Sequence, residues 1–425
     1  MTPMSGEQRV VIVGGGFGGL ACARALDGSD VSVLLLDQHN YHLFTPLLYQ
    51  VATALLNPSD IAYPLRRAFR RSPNVRFRQA MVTGVDLDQR VIKTHFGDDI
   101  AYDTLVLATG GTNNYFGNTP LAEHSIGLKS LQEALRLRNH VLSCLEEAEQ
   151  TQDEDEKKKW LTFVVVGGGP TGVEYAGALD ELLDLVLGFD YPTLDRREAR
   201  ILLVEGLDRL LAAFHPRLGR YAEQTLVGRG IEVRTKTLVE KADDDSVALR
   251  DGETIFAKTV VWSAGVRPVD PLNGAPRSDR SKRLEADEFL RLRGHDNVYV
   301  IGDAAAVRTP NGELPMLSPP AMQEGRYVGR AIKTGRAQKP FHYLDKGTMA
   351  TIGRNAAVAD VRGFKLKGFP GWLAWLFVHI YYLIGFRNRA AVLASWAWNY
   401  ILRDRPIRLI TRAQPDPLAD EMDPG

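Results

Sequence analysis

The chain has 425 residues, enough for two or three domains. Its 52 basic residues balance 52 acidic ones, so nothing in the overall charge points to nucleic acid. The two cysteines, Cys22 and Cys144, lie far apart without CxxC or CxxxxC spacing, which excludes a disulfide scaffold and a local redox-active pair.

The polar N-terminus, Met1 to Arg9, leads straight into a strand, and no signal or transit peptide is expected there. That strand opens a fingerprint, Val10-Val11-Ile12-Val13-Gly14-Gly15-Gly16-Phe17-Gly18-Gly19, with a helical pattern behind it. Gly14 makes a turn too tight for side chains. Gly16 lets a pyrophosphate approach the backbone, and Gly19 lets the helix pack on the strand. The second strand ends at Asp37, about 20 residues on, where an acid holds a ribose hydroxyl. A later strand closes on Ala108-Thr109-Gly110-Gly111.

A helix is expected over Leu131 to Glu149. The charged run Gln152 to Lys159 reads as a solvated helix end. A second fingerprint then begins, Val164-Val165-Val166-Gly167-Gly168-Gly169-Pro170-Thr171-Gly172, in which Gly167, Gly169 and Gly172 repeat the same three roles. Its acid is Glu205, which accepts from a free 2′-OH and repels a 2′-phosphate, so NADH is preferred over NADPH. A strand closing on Ser263-Ala264-Gly265 follows, and another delivers Gly302-Asp303 to the tip of a turn. Two fingerprints in one chain suggest two dinucleotides meeting, one giving electrons and one receiving them. The nine histidines form no metal-ligand pattern, and no metal is expected.

Near the C-terminus Trp372 to Phe386 is almost wholly apolar and aromatic. It is shorter than the ~20 residues of a membrane span. Arg362, Lys365 and Lys367 precede it, and Arg387, Arg389, Arg403, Arg405, Arg408 and Arg412 follow. Asp404 is the one acid between Val361 and Arg412. Interfacial aromatics beside an arginine-rich flank describe a segment lying in the bilayer surface; the competing reading is a buried core or dimer helix.

The stretch Asn40-Tyr41-His42-Leu43-Phe44-Thr45-Pro46-Leu47-Leu48-Tyr49-Gln50, with Gly385-Phe386-Arg387-Asn388-Arg389, resembles the type II NADH dehydrogenases. These are single-subunit NADH:quinone oxidoreductase flavoproteins of the respiratory chain that pump no protons. The resemblance implies an α/β fold of two Rossmann-like dinucleotide-binding domains and a C-terminal membrane-associating segment. Residues 8–115 and 270–345 would bind non-covalent FAD, 116–269 would bind NADH, and 346–425 would meet the membrane. It implies FAD contacts from Gly14, Gly16, Gly18, Gly19, Asp37, Val82, Ala108, Thr109, Gly110, Gly302 and Asp303. NADH contacts would come from Gly167, Gly169, Thr171, Gly172, Glu205, Ala264 and Gly265. Thr45 and Pro46 would lie beside the isoalloxazine, and Glu174 near the nicotinamide–flavin contact. Without the resemblance Glu174 reads as a first-turn acid complementing its helix dipole. The quinone would meet Pro319, Ala321 and Gln323, although Pro319 stands where many members carry glutamine.

The implied partners are a membrane quinone and the lipid surface, with a homodimer left open, and the implied location is the cytoplasmic face, as a peripheral, monotopic protein. Competing readings are a related FAD-dependent NAD(P)H reductase with another acceptor, a sulfide:quinone oxidoreductase, which would need well-placed cysteines, and a flavin-bound redox sensor without turnover.

Overall fold

The computed structural model describes residues 8–411 apart from 273, 274, 311, 336–338 and 362. The segment Met1–Glu7 and two arginines of the basic flanks, Arg362 and Arg412, lie outside the described residues. Contacts divide the chain into two units. One comprises Met1–Leu43, Ala62–Thr112 and Val266–Lys346; the other comprises Phe44–Ile61, Asn113–Gly265 and the chain from Gly347 on.

The first fingerprint folds as β1 (Arg9–Val13), α1 (Phe17–Leu26) and β2 (Ser32–Asp37), followed by β3 (Val75–Gln79) and β4 (Thr104–Leu107). After α2 (Leu131–Gln150) the second folds as β5 (Thr162–Val166), α3 (Pro170–Phe189) and β6 (Arg200–Val204), followed by β7 (Glu232–Arg234) and β8 (Thr259–Trp262). Then come β9 (Val298–Val300), α4 (Ser318–Thr334), α5 (Gly368–Tyr382) and α6 (Phe386–Leu402). The charged run is not the end of α2: Glu154–Trp160 is a helix of its own, capped by the Asp153 side chain.

In the first unit the sheet order is β9-β4-β1-β2-β3, parallel throughout. In the second the order is Ile126–Gly127, β8, β5, β6, β7, again parallel throughout. The central strands are rich in valine and leucine, and β4, β5 and β8 are buried at every residue. Strands covered by helices on both faces need no polar alternation. Each unit also carries a three-stranded antiparallel meander between its third and fourth strands: Val82–Asp86, Val91–Thr94 and Asp99–Ala101 in one, Val239–Ala242, Ser246–Leu249 and Thr254–Phe256 in the other.

The helices begin in two ways. At α2 a full capping box closes the end, with the Ser130 hydroxyl and the Glu133 carboxylate each satisfying a backbone N–H. At α1 and α3 the N-caps are Gly16 and Gly169, and no side chain caps either end. A helix end without a side-chain cap suits an anionic ligand.

The C-terminal sequence forms a three-stranded antiparallel sheet, Thr348–Gly353, Ala356–Val361 and Phe364–Lys367, and then α5 and α6. On α5 the side chains sort at a four-residue interval. Gly371, Trp375 and His379 are buried, whereas Phe369, Leu373, Phe377 and Tyr381 are exposed. One face of the helix is therefore core, and the other is an exposed apolar surface. The helix α6, which the sequence reading did not foresee, exposes Phe386, Leu393, Ile401 and Leu402. Among the described residues no helix is long and apolar enough to cross a membrane.

Candidate active site

In the first unit Gly14 adopts φ +106°, and a Cβ there would stand 2.1 Å from the Ala108 carbonyl oxygen. A Cβ on Gly19 would stand 1.8 Å from the carbonyl oxygen of Gly14, so α1 can approach β1 this closely only with glycine there. At Gly16 no atom lies within 4 Å of the same position. The turn is thus closed on the protein side and open where the helix N-terminus points. Asp37 accepts the N–H of Gly15 at 2.6 Å and that of His39 at 2.7 Å. His42, 2 % exposed, donates from Nδ1 to the Gly15 carbonyl at 3.0 Å. Burial depresses its pKa to about 4, so the ring stays neutral.

The other expected FAD residues fall in the same unit. Gly110 (φ +74°) and Gly302 (φ +70°) both occupy the left-handed region. Thr109 donates its hydroxyl to the Val269 carbonyl. Asp303 faces Gly111, whose Cβ would stand 3.1 Å from its Oδ2. Val82 opens the first strand of the meander. Gly18 lies against Ile301 and the Ala321 carbonyl.

The second unit repeats this arrangement. Gly167 adopts φ +109°, and its Cβ would meet Ser263 and Ala264 within 2.8 Å. A Cβ on Gly172 would stand 1.9 Å from the Gly167 carbonyl oxygen, and Gly169 again faces open space. Glu205 accepts from Gly168 at 2.6 Å and from Leu207 at 2.7 Å. Thr171 is exposed in the first turn of α3. A Cβ on Gly265 would stand 2.8 Å from the Phe116 ring. Ser263, which sequence reasoning passed over, donates its hydroxyl to the carbonyls of Val166 and Gly167 at 2.9 and 3.1 Å, locking the turn.

The residues expected beside the isoalloxazine and those expected to meet the quinone each belong to a unit of their own. Thr45 and Pro46 form a 3-10 turn assigned to the second unit. Pro319, Ala321 and Gln323 lie on α4 in the first. Pro319 begins the helix, where a missing N–H costs nothing. Ala321 is a buried spacer, its Cβ 3.4 Å from where a Cβ on Gly302 would stand. The Gln323 amide is already engaged. Its Nε2 donates to the Leu344 carbonyl and its Oε1 accepts the Leu344 N–H, both at 3.0 Å.

The sequence alone reads Glu174 as a first-turn acid, but α3 starts at Pro170 and has no acid in its first turn; Glu174 lies just beyond it and does not face solvent. It is 8 % exposed, and its Oε1 accepts from Thr351 N and Trp375 Nε1, both at 3.2 Å. Burial lifts its pKa to about 8. It lines a pocket within the second unit together with Tyr49, Gln50, Trp372, Trp375 and Trp396. Gln50 accepts from Trp396 Nε1 at 2.8 Å and donates to the Tyr49 hydroxyl at 2.8 Å. His379 lies on α5 beside the pocket residue Trp375. It is buried, stacks on Trp375 at 3.9 Å and donates from Nδ1 to the Trp375 carbonyl at 2.7 Å. Trp375 and Trp396 were not legible as pocket residues, because the groups they hydrogen-bond, Glu174 and Gln50, are more than 170 positions away.

Both thiols are buried and held in the protonated form. Desolvation raises Cys22 to about 12 and Cys144 to about 11. Such thiols are poor nucleophiles.

Residues 8–325 match the family described as pyridine nucleotide-disulphide oxidoreductase, and residues 346–404 match the NDH2 C-terminal domain. The type II NADH:quinone oxidoreductase NdhA of Mycobacterium tuberculosis is 38% identical, covering 96% of this chain and 90% of its own length. An internal alternative NAD(P)H-ubiquinone oxidoreductase A1 of Arabidopsis thaliana is 30% identical, with 93% and 84% covered. The structure of NDH2 from Plasmodium falciparum in complex with NADH superposes with a TM-score of 0.88 at 21% identity, over 96% of this chain and 100% of that one, a likeness of fold. With two matching glycine cradles and this agreement along nearly its whole length, the chain belongs to the type II NADH:quinone oxidoreductase family.

Proposed function

We infer that this protein oxidises NADH and reduces a quinone by way of a bound, non-covalent FAD, without pumping protons. The observation that carries the reading is the pair of open glycine cradles, each at an uncapped helix N-terminus and each beside an acid that ends the next strand. Pyrophosphate suits both cradles, because each opens at the positive end of a helix that no side chain caps. FAD belongs in the first cradle and NADH in the second. FAD supplies the chemistry that accepts a hydride and passes two electrons onward.

The chain's own residues position and shield. Gly14, Gly16, Gly18 and Gly19 shape the FAD turn, and Asp37 takes the adenosine ribose. Val82 backs the adenine, Ala108, Thr109 and Gly110 flank the flavin, and Gly302 admits it to Asp303, which takes the ribityl chain. Gly167, Gly169, Thr171, Gly172, Ala264 and Gly265 line the NADH path, with Glu205 on its ribose. Thr45 and Pro46 remain our assignment for the ring edge.

For the acceptor we favour the pocket around Glu174 over the start of α4. Its tryptophan faces suit a planar ring, and Glu174 holds a proton at neutral pH that its Oε2 can give up. A quinone reaches Gln323 only after Gln323 gives up its pair with Leu344. The exposed apolar stripe of α5 and the exposed end of α6 would rest in the cytoplasmic leaflet, aided by the basic flank.

The test is sequential. NADH added without oxygen bleaches the flavin absorbance, and a soluble quinone analogue restores it. Bleaching without recovery would instead identify a redox sensor.

A further inference from the structure

One buried acid in the first unit has no part in the reading above. Glu324 stands in the second turn of α4, 2 % exposed. Its Oε2 accepts the backbone N–H of Gly302 at 2.5 Å. Gly302 is the left-handed residue directly before Asp303. A backbone N–H turned inward there needs an acceptor, and Glu324 brings one from another element.

The helix that carries this acceptor is fixed. A Cβ on Gly325 would stand 2.1 Å from the Gly18 carbonyl oxygen, and one on Gly329 would stand 2.6 Å from Ala25 Cβ and 2.8 Å from the Cys22 carbonyl oxygen. Backbone therefore meets backbone between α1 and α4. Glu324 ties that rigid pair to the Gly302–Asp303 turn.

Few charges surround the carboxyl. Arg283 favours its ionised form and Asp303 opposes it. Tyr343 also senses its charge. On α1, Cys22 stays protonated, and the charge of Arg24 is felt by His42 rather than by this carboxyl. Burial outweighs these effects and lifts Glu324 to about 7. Near neutral pH it passes between a carboxylate, which grips the Gly302 N–H strongly, and a neutral acid, which grips it less.

We propose that Glu324 is a positioning residue for the flavin: its carboxyl sets the Gly302–Asp303 turn, and its ionisation governs how tightly that turn retains FAD. The inference rests on FAD occupying the first cradle. FAD release from the diluted holoenzyme, followed by flavin fluorescence from pH 6 to 8.5, tests it. The native protein should release FAD several-fold more slowly at pH 8.5 than at pH 6. Glu324→Gln, a neutral acceptor at every pH, should flatten the profile near the native pH 6 rate. Glu324→Leu should release FAD at least tenfold faster throughout.

Amide hydrogen exchange on the full-length chain supplies a second readout. The Gly302 amide should lose protection in Glu324→Leu while α4 keeps its own, which separates a loosened turn from an unfolded helix. A Glu324→Gln protein with the native pH profile, or a Glu324→Leu protein with native FAD retention, would overturn the inference alone. A Gly19→Ala protein that holds FAD as the native one does would overturn the cofactor assignment, and the inference with it.

Discussion

Glu205 gives both carboxylate oxygens to backbone N–H groups, and a ribose hydroxyl pair must share them. Glu205→Ala should lose about 1.5–3 kcal/mol of a hydrogen bond to a charged group. That is roughly one to two decades in kcat/KM for NADH, with a smaller gap to NADPH. Steady-state kinetics with both nucleotides checks it, and a native preference for NADPH would refute the role of Glu205. Glu174→Gln removes a proton donor at constant shape. Stopped flow should show quinone reduction slowed by roughly 10² with hydride transfer little changed. In the native protein that step should slow as pH rises through about 8, where Glu174 loses its proton. At this scale the sequence was readable wherever a role depends on spacing along the chain. The glycines, Asp37 and Glu205 are such cases. Ser263, His42 and Glu324 were not readable, because each acts on a backbone group supplied by a distant element. For Ala321 and Gln323 the sequence did not disclose the contact with Gly302 or the pairing with Leu344, both made to distant segments.

The two fingerprint helices can be perturbed separately. Gly172→Ala drives a methyl into the Gly167 carbonyl. The strain, typically about 1–3 kcal/mol for overpacking, should displace α3 and raise KM for NADH while FAD content stays native. Gly19→Ala should do the reverse and yield protein poor in flavin, which absorbance of the purified chain reports. The apolar character of α5 was visible in the sequence, but its division into two faces depends on packing that composition does not encode. Deleting from Gly371 onward looks like clean removal of an anchor. In the structure it would also remove Trp375 and Arg405, which is 1 % exposed and bonded to the carbonyls of Thr53 and Ala178 and to Glu181. Surface changes make the better test. Phe369→Ser, Phe377→Ser and Tyr381→Ser together should shift the protein from vesicles to the soluble fraction with FAD retained. Trp375→Ala should instead lower stability by about 3–5 kcal/mol, seen in thermal unfolding.

Across the molecule, buried ionisable groups set opposing pH slopes. Glu174 and Glu324 have folded-state pKa values of about 8 and 7 against 4.5 unfolded, so the fold binds more protons and stability falls as pH rises from 4.5 toward 8. His42 and His379, at about 4 against 6.5, bind fewer protons when folded, so stability falls as pH drops from 6.5 toward 4. With FAD saturating, Tm should be higher at pH 6 than at pH 8.5, and a Glu174→Gln, Glu324→Gln double variant should flatten the alkaline side. Calorimetry across that range decides it.

The interrupted first unit has a further consequence, for the order of events during synthesis. The second unit's parallel sheet is drawn from Ile126 to Trp262, one continuous stretch. The first unit's sheet waits for β9, which pairs with β4 across about 190 intervening residues, and α1 gains its cover only when α4 emerges. A nascent chain that has emerged from the ribosome through residue 280 therefore has a second sheet that can close while Gly18, Ala21, Cys22 and Ala25 still lack their neighbour. Such an intermediate exposes a sticky helix face early and becomes competent for flavin late. Nascent chains halted there should resist protease over 126–262 but retain no FAD, and extending them past Thr334 should confer retention.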